Sequence, residues 1–496
     1  MERPSIPAPQ LSQLSACIAV WLGLHFPPER WPDLEHRLWP ITREFGFQDP
    51  ASCIQWLVSA PLTRNQLELL ASHLTVGETY FFRERNIFEI LATHILPEVV
   101  RYRRGTDTYL RIWSAGCCTG EEPYSIAISI TRAIPDWQDW RLTLLATDVN
   151  PRFLQQATRG VYKEWAFRTA LPNIKERFFT KTQDGRFAIV PMIQKMVTFS
   201  SLNLAEDVYP SLVNNTNAMD VIFCRNVLMY FTPEQAKQCI HHLYHALVEG
   251  GWLIVSPSET SHVLFSQFTT VNFPGAILYR KPRMGETVNE RTGERESGRA
   301  GEWGSNVADS PIRRFPDSVF PGEIEQPKSR EPQLTPYQEA VALYEQGSFA
   351  AAAEKAEAWL LQHQADAKAM TLLARVYANQ GNLAEALLWC ERALATDKLN
   401  PLCHYLLAVI LQERGQVEDA VPSLKRALYL DHDFVLAHFT LAMLTQRQGK
   451  HKEAAKHRAN ALRLLQQYSP EDLLPEADGM TAGRLMDIMR MIPLGD

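Results

Sequence analysis

Two adjacent carboxylates, Glu121 and Glu122, follow a run of small residues and two glycines, Ser114-Ala115-Gly116-Cys117-Cys118-Thr119-Gly120. Pro123 then stands where it can open a helix. Upstream, Tyr109 to Trp113 is apolar except for Arg111 and reads as a largely buried strand. The whole stretch predicts a strand–loop–helix cradle, where backbone approaches a nucleotide-like ligand closely because Cβ atoms are missing. A helix N-terminus ordinarily favours an anion such as pyrophosphate, but two carboxylates at its mouth repel one. They suit a ligand that carries positive charge. S-adenosylmethionine (SAM) has a sulfonium, an ammonium and ribose hydroxyls but no phosphate, and it fits.

Further motifs accompany the cradle. Gly77-Glu78-Thr79-Tyr80-Phe81-Phe82-Arg83-Glu84 precedes it. Ala146-Thr147-Asp148-Val149-Asn150, Ser201-Leu202-Asn203-Leu204 and Ile222-Phe223-Cys224-Arg225-Asn226-Val227-Leu228-Met229-Tyr230-Phe231 follow it. In this order, over roughly residues 12–282, the motifs resemble the chemotaxis receptor methyltransferase (CheR) family. The first looks like that family's Asn-x-Thr-x-Phe-Phe-Arg-Glu signature, with Gly77 where the family usually has Asn. A side-chain contact to the cofactor is then absent or supplied by backbone. The resemblance implies a protein-glutamate O-methyltransferase that uses SAM and acts on the cytoplasmic domains of methyl-accepting, chemotaxis-type receptors. It also implies a small antiparallel insertion in the fold and an N-terminal domain that helps dock the receptor.

Asp148 ends the strand 142–147, some 30 residues after the glycine turn. A carboxylate there can accept both ribose hydroxyl hydrogens, and it can equally cap the helix that starts near Pro151; position and the resemblance favour the ribose. Glu121 or Glu122 pairs with the methionine ammonium. Glu121, nearer the turn, is the choice, and Glu122 is left to cap the helix. Arg83 can make a charge-assisted bond to the methionine carboxylate, and Thr79 can donate its hydroxyl. Asn203 and Leu204 follow a strand edge and approach adenine. Arg225 and Asn226, at the carboxyl end of a central strand, point into the crevice where open α/β sheets bind ligands. Tyr230 lines the substrate entrance or packs in the core. Gly77, Thr79, Arg83, Glu121, Asp148, Asn203, Leu204, Arg225 and Asn226 form the expected cofactor set, and Arg83 and Tyr230 are the pair assigned to the transfer step. No metal is called for: a substrate glutamate is already ionised at neutral pH, and catalysis consists of alignment and partial desolvation.

Several elements must position these groups. Leu11, Leu14, Ile18 and Leu22, then Leu34, Leu38 and Ile41, then Leu67, Leu70 and Leu74 recur at helical spacing, so 1–75 reads as a small helical domain. Within it Arg30, Arg37 and Arg43 form either a solvated charged face or a basic contact for acidic receptor helices, with Pro40 arguing against one continuous helix. In 76–282, strand candidates 109–115, 142–147, 196–201, 219–224 and 251–256 alternate with helical stretches, which predicts a doubly wound, mainly parallel sheet. Asp184-Gly185 marks a hairpin, and Phe268 to Arg280 a closing one. Residues 283–333 are rich in Glu, Arg, Gly, Ser and Pro and read as a disordered linker. From 334 to 468, Gly347, Gly381, Gly415 and Gly449 recur every 34 residues, as do Ala340, Ala374, Ala408 and Ala442. That period resembles the tetratricopeptide repeat (TPR), an α-solenoid. The expectation is a separable docking array for an unknown protein or peptide, tethered without a fixed orientation, with 469–496 as a cap or tail.

The chain has 496 residues, which implies two or three domains, and a net charge of −6, which gives no case for nucleic-acid binding. Its eight cysteines show no metal-type spacing. No apolar run approaches the ~20 residues of a membrane helix, and no signal peptide is evident, so a cytoplasmic protein without membrane insertion is expected. The competing functions are a SAM-binding scaffold and a methyltransferase for another protein or a small carboxylic acid.

Overall fold

The computed structural model describes residues 6–103, 108–170, 172–206, 208–283, 286, 334–477 and 480–491. The segment read as a linker lies outside the described residues, apart from Arg283 and Glu286. At the N-terminus, helices α1 (Ala8–Leu22), α2 (Trp31–Glu44), α3 (Pro50–Leu57) and α4 (Arg64–Leu74) bury the residues that the helical spacing singled out, among them Leu14, Ile18, Leu34, Leu38 and Leu70. α2 runs unbroken through Pro40. Pro40 sits on its exposed side, where the carbonyl left without a partner meets water. The three arginines do not form one face. Arg37 donates to the carbonyls of His73, Leu74 and Thr75 and so caps the end of α4, whereas the Arg30 guanidinium lies 5.0 Å from the Phe26 ring.

The α/β domain carries strands β1 (Tyr109–Ala115), β2 (Arg141–Asp148), β3 (Val161–Tyr162), β4 (Phe179–Lys181), β5 (Phe187–Ile189), β6 (Val197–Ser201), β7 (Met219–Phe223), β8 (Leu247–Ile254), β9 (Thr269–Phe273) and β10 (Ala276–Arg280). Among the described residues, seven of them form one sheet in the order β6-β2-β1-β7-β8-β10-β9. β6, β2, β1, β7 and β8 run parallel, and the closing hairpin is antiparallel. The order reverses beside β1, so the crevice at the carboxyl ends of β1, β2 and β7 is the place for a ligand. β1 is buried along its whole length, and apolar clusters cover both faces of the sheet. β3, β5 and β4 make the small antiparallel insertion, turning at Asp184-Gly185.

The 34-residue period resolves into helix pairs, 336–345 with 349–362, 367–379 with 383–396, 401–413 with 417–430, and 435–447 with 451–465. Each pair turns at a glycine with φ between +72° and +77°, a backbone that L side chains rarely adopt. Three of these turns pack against the amino-terminal edge of the sheet. Gly347 meets His245, Gly381 meets Ala218 and Val248, and Gly415 meets Arg141. The array, expected to hold no fixed orientation, is therefore docked on the sheet, while the linker itself lies outside the described residues apart from Arg283 and Glu286. The contact also explains the one charge in β1. Arg111 is buried, pairs with Glu413 of the third helix pair, and donates to the carbonyls of Asn217 at 3.2 Å and Asn215 at 3.3 Å. A buried guanidinium keeps its charge, so losing an anionic partner leaves its desolvation uncompensated. Glu413→Ala is expected to lower unfolding free energy by about 1–3 kcal/mol, read by chemical denaturation. A smaller loss is expected from Glu418→Ala, a carboxylate for which no pairing in this interface is seen.

Candidate active site

Gly116 opens the cradle with φ +84°, and a Cβ there would overlap Val227 Cγ2, so glycine lets the turn after β1 approach the loop after β7. Its N–H and that of Cys117 both donate at 2.8 Å to the Thr147 carbonyl, which locks the turn onto the end of β2. At that end stands Asp148. The Cys118 N–H donates to one carboxylate oxygen and the Asn150 N–H to the other, each at 2.8 Å. Asn150, not Asp148, caps the helix that follows, accepting from Arg152 and Phe153 N–H groups. Each oxygen of Asp148 thus keeps a lone pair for a second donor. Burial pushes its pKa up to about 6 against the pull of those N–H groups.

The cleft over this turn has a cavity volume of about 110 Å³. Of the expected residues, Thr79, Arg83, Asp148, Asn203, Leu204, Arg225, Asn226 and Tyr230 line it. Glu121 and Gly77 do not. The helix Glu121–Ala133 turns Glu121 away from the cleft, where it accepts from the Thr119 hydroxyl at 2.6 Å and burial raises its pKa. Glu122, expected to cap the helix, lines the cleft instead, and among the described residues no side chain caps the helix start. Glu122 accepts from Ser114 Oγ at 2.7 Å and from Arg225 Nη1 at 2.8 Å. At Gly77 a Cβ would lie 2.6 Å from the Phe153 ring, which itself lines the cleft. Phe153 fills the space that an Asn side chain would take.

Arg225 ties the site together. It pairs with Glu122 and Glu84 and donates to the Arg83 carbonyl at 2.8 Å. Burial opposes its charge, yet the two carboxylates hold its pKa above the ordinary value. Arg83 itself donates from Nη1 to the Glu78 carbonyl at 2.7 Å. Its neighbours Phe82 and Glu84 have φ of +57° and +58°, a conformation that costs about 1–2 kcal/mol per residue. The segment is held there by Phe81, packed among Tyr162, Phe167 and Phe179. The Asn203 amide is committed to protein, with Nδ2 donating to the Trp21 carbonyl at 2.8 Å and Oδ1 accepting from the Ala205 N–H at 3.1 Å. Any contact to adenine at this position falls to its backbone or to the apolar face of Leu204.

Two groups of functional residues were not foreseen. Glu259 accepts from the N–H groups of Asn226 at 2.7 Å and Val227 at 2.8 Å, and so holds Asn226 at φ +57°. The pattern Ser256-x-x-Glu259, a capping box, was the signal that could have found it. Leu22, Leu24, His25, Phe26, Leu74 and Thr75 bring the helical domain over the cleft as a roof. The roof is fastened by the His25 N–H, which donates to the Tyr230 carbonyl at 2.6 Å. Among the described residues no group of three or more His, Cys, Asp or Glu is placed to hold a metal, and no helix is long and apolar enough to cross a membrane.

Comparison with known proteins agrees with this geometry. The CheR methyltransferase SAM-binding domain matches residues 77–276, and a tetratricopeptide repeat matches residues 337–401. Chemotaxis protein methyltransferase 2 of Vibrio cholerae is 33% identical over 229 residues, 46% of this chain and 77% of that one. A probable chemotaxis protein methyltransferase of Rhizobium etli is 35% identical over 206 residues, 41% of this chain and 75% of that one. Chemotaxis protein methyltransferase 1 of Pseudomonas aeruginosa is 34% identical over 221 residues, 43% of this chain and 77% of that one. With such identity over three quarters of each relative, the chain belongs to the chemotaxis protein methyltransferase (CheR) family, as a SAM-dependent methyltransferase that carries C-terminal TPR repeats.

Proposed function

We propose that the protein transfers a methyl group from SAM to glutamate side chains of chemoreceptor-type signalling helices, giving glutamate methyl esters and S-adenosylhomocysteine. The observation that carries the SAM reading is Asp148. Two lone pairs on one buried carboxylate, at the carboxyl end of β2, match the two hydroxyls of a ribose. Glu122 supplies negative charge at the helix mouth for the ammonium, and Arg83 a guanidinium for the α-carboxylate. The charged residues that line the cleft balance, Arg30, Arg83 and Arg225 against Glu78, Glu122 and Asp148, which suits a ligand that carries charges of both signs.

Bound SAM supplies an electrophilic methyl group whose departing sulfur is a neutral thioether. The protein's part is to hold and to exclude. The roof and the Phe153 wall keep water from the reacting end, which raises the reactivity of an incoming carboxylate. Tyr230, fixed through its carbonyl and beside Arg30, lines the entrance by which that carboxylate arrives. The receptor as substrate is supported by the relatives, which are named for chemotaxis. The repeats, in this reading, dock a protein partner.

Asp148→Ala is expected to weaken SAM binding by about 1.5–3 kcal/mol, measured by calorimetry. The wild-type affinity has a pH signature. Above about 6 the carboxylate is ionised and accepts both hydroxyls; below it, each pH unit costs about tenfold in affinity. Asp148→Ala removes that slope, and a flat wild-type profile between pH 7 and 5 would overturn the ribose role. The same group stabilises the ligand-free fold in the opposite sense. Its folded pKa is raised, so stability present below about pH 4 is lost as the pH rises past about 6.

Labelled SAM incubated with receptor cytoplasmic domains should place base-labile label on the receptor. Base-stable label, or label on other proteins alone, would remove the glutamate-ester reading. Arg83→Ala should lower turnover at limiting SAM at least tenfold while leaving the melting temperature within a few degrees. Wild-type turnover would return Arg83 to a structural role.

A further inference from the structure

The last described helix, Ala482–Met491, lies beyond the repeats and extends their core through Ala482, Leu485 and Met489. Arg484, on the same helix, points the other way. Arg484 is buried, donates from Nη2 to the Ser201 carbonyl at 3.0 Å, and pairs through Nη1 with Glu206 at 2.5 Å. Ser201 ends β6, and residues 202–204 are the cleft wall on that side. Glu206 is the other end of the same turn: its N–H donates to the Asn203 carbonyl at 3.2 Å, and its carboxylate accepts from Asn203 Nδ2, also at 3.2 Å. From the opposite direction Asn203 Nδ2 donates to the Trp21 carbonyl, near the end of α1. The loop 202–206 is thus gripped on one side by the helical domain and on the other by the far end of the array.

Resting on the reading of this cleft as the SAM site, we infer that Arg484 is a positioning residue for it. Arg484 sets loop 202–206 through Glu206 and the Ser201 carbonyl, and so couples the C-terminal end of the repeat array to SAM affinity. The chemistry favours this over simple docking. One guanidinium satisfies a strand-end carbonyl and a carboxylate at fixed geometry, and both acceptors belong to the segment that forms the wall. No described residue after Phe231 lines the cleft, so the array can reach the ligand only through such a relay.

The test uses the full chain and SAM itself, by calorimetry, with thermal melting to confirm folding. Arg484→Ala and Glu206→Gln should each raise the dissociation constant about five- to twentyfold. Arg484→Lys, which keeps the charge but not the fork, should recover part of the loss. The Arg484→Ala/Glu206→Gln pair should be no weaker than the worse single variant, because both remove one relay. Wild-type affinity in folded variants, or fully additive losses, would overturn the inference. If Arg484→Ala does not fold, Glu206→Gln decides, since Glu206 is half exposed. Failure of the wild-type chain to bind SAM would instead overturn the cleft reading itself.

Discussion

A guanidinium that cannot give up its proton is buried in the wall of the cleft, and the chain around it is arranged to satisfy it. Arg225 lies at the end of β7, its partners on two other segments: the entry stretch, through Glu84 and the Arg83 carbonyl, and the helix mouth, through Glu122. Desolvating such a group without partners would cost several kcal/mol. The strained entry residues Phe82 and Glu84 are the visible consequence, since the segment must turn its carbonyl and carboxylate inward to reach the charge. A single ion network thus joins the entry stretch, the helix mouth and the loop after β7, with Glu122 as its carboxylate at the cleft.

That constraint also explains which parts of the site were legible in the sequence. The strand–turn–helix cradle was legible because its signals are local: an apolar strand, glycines and a proline at helix N3. Asp148 was legible because a strand end has one direction. Glu121 and Glu122 were not separable, because neighbours on a helix differ by about 100° in facing. Which of them points inward is settled by Arg225, a residue over a hundred positions away. Glu259 and Phe153 escaped for a similar reason: each acts on a residue close in space and remote in sequence, Asn226 and Gly77 respectively. The repeats were legible through their period, but their docking was not. The clue was the lone charge of Arg111 in a buried strand, whose partner lies 302 residues downstream.

The helical N-terminal domain has a more intimate part than its sequence suggested. Its apolar pattern predicts a bundle, and the bundle exists, but the ends of α1 and α4 also supply one side of the cleft. Arg37, which looked like part of a basic face, is spent on the last carbonyls of α4, next to the residues that form the roof. A helix C-terminus carries partial negative charge, so a cation there is favourable wherever the helix sits. Of the three arginines, only Arg43 is left facing solvent in the manner a docking contact needs.

The mount of the repeat array changes what docking can accomplish. A flexible tether raises the effective concentration of a bound partner but leaves its approach unselected. Here three hairpin turns sit on the amino-terminal edge of the sheet, opposite the cleft, and the final helix reaches round to the carboxyl end of β6. The array therefore holds one orientation relative to the reacting centre. On the proposal that the repeats dock the protein to be methylated, the spacing between its docking segment and its methylated residue becomes a criterion of selection. Avidity is gained only by partners whose geometry permits both contacts at once. Under that proposal the edge contacts, with the Arg111–Glu413 pair among them, make the repeats a ruler as well as a concentrating device.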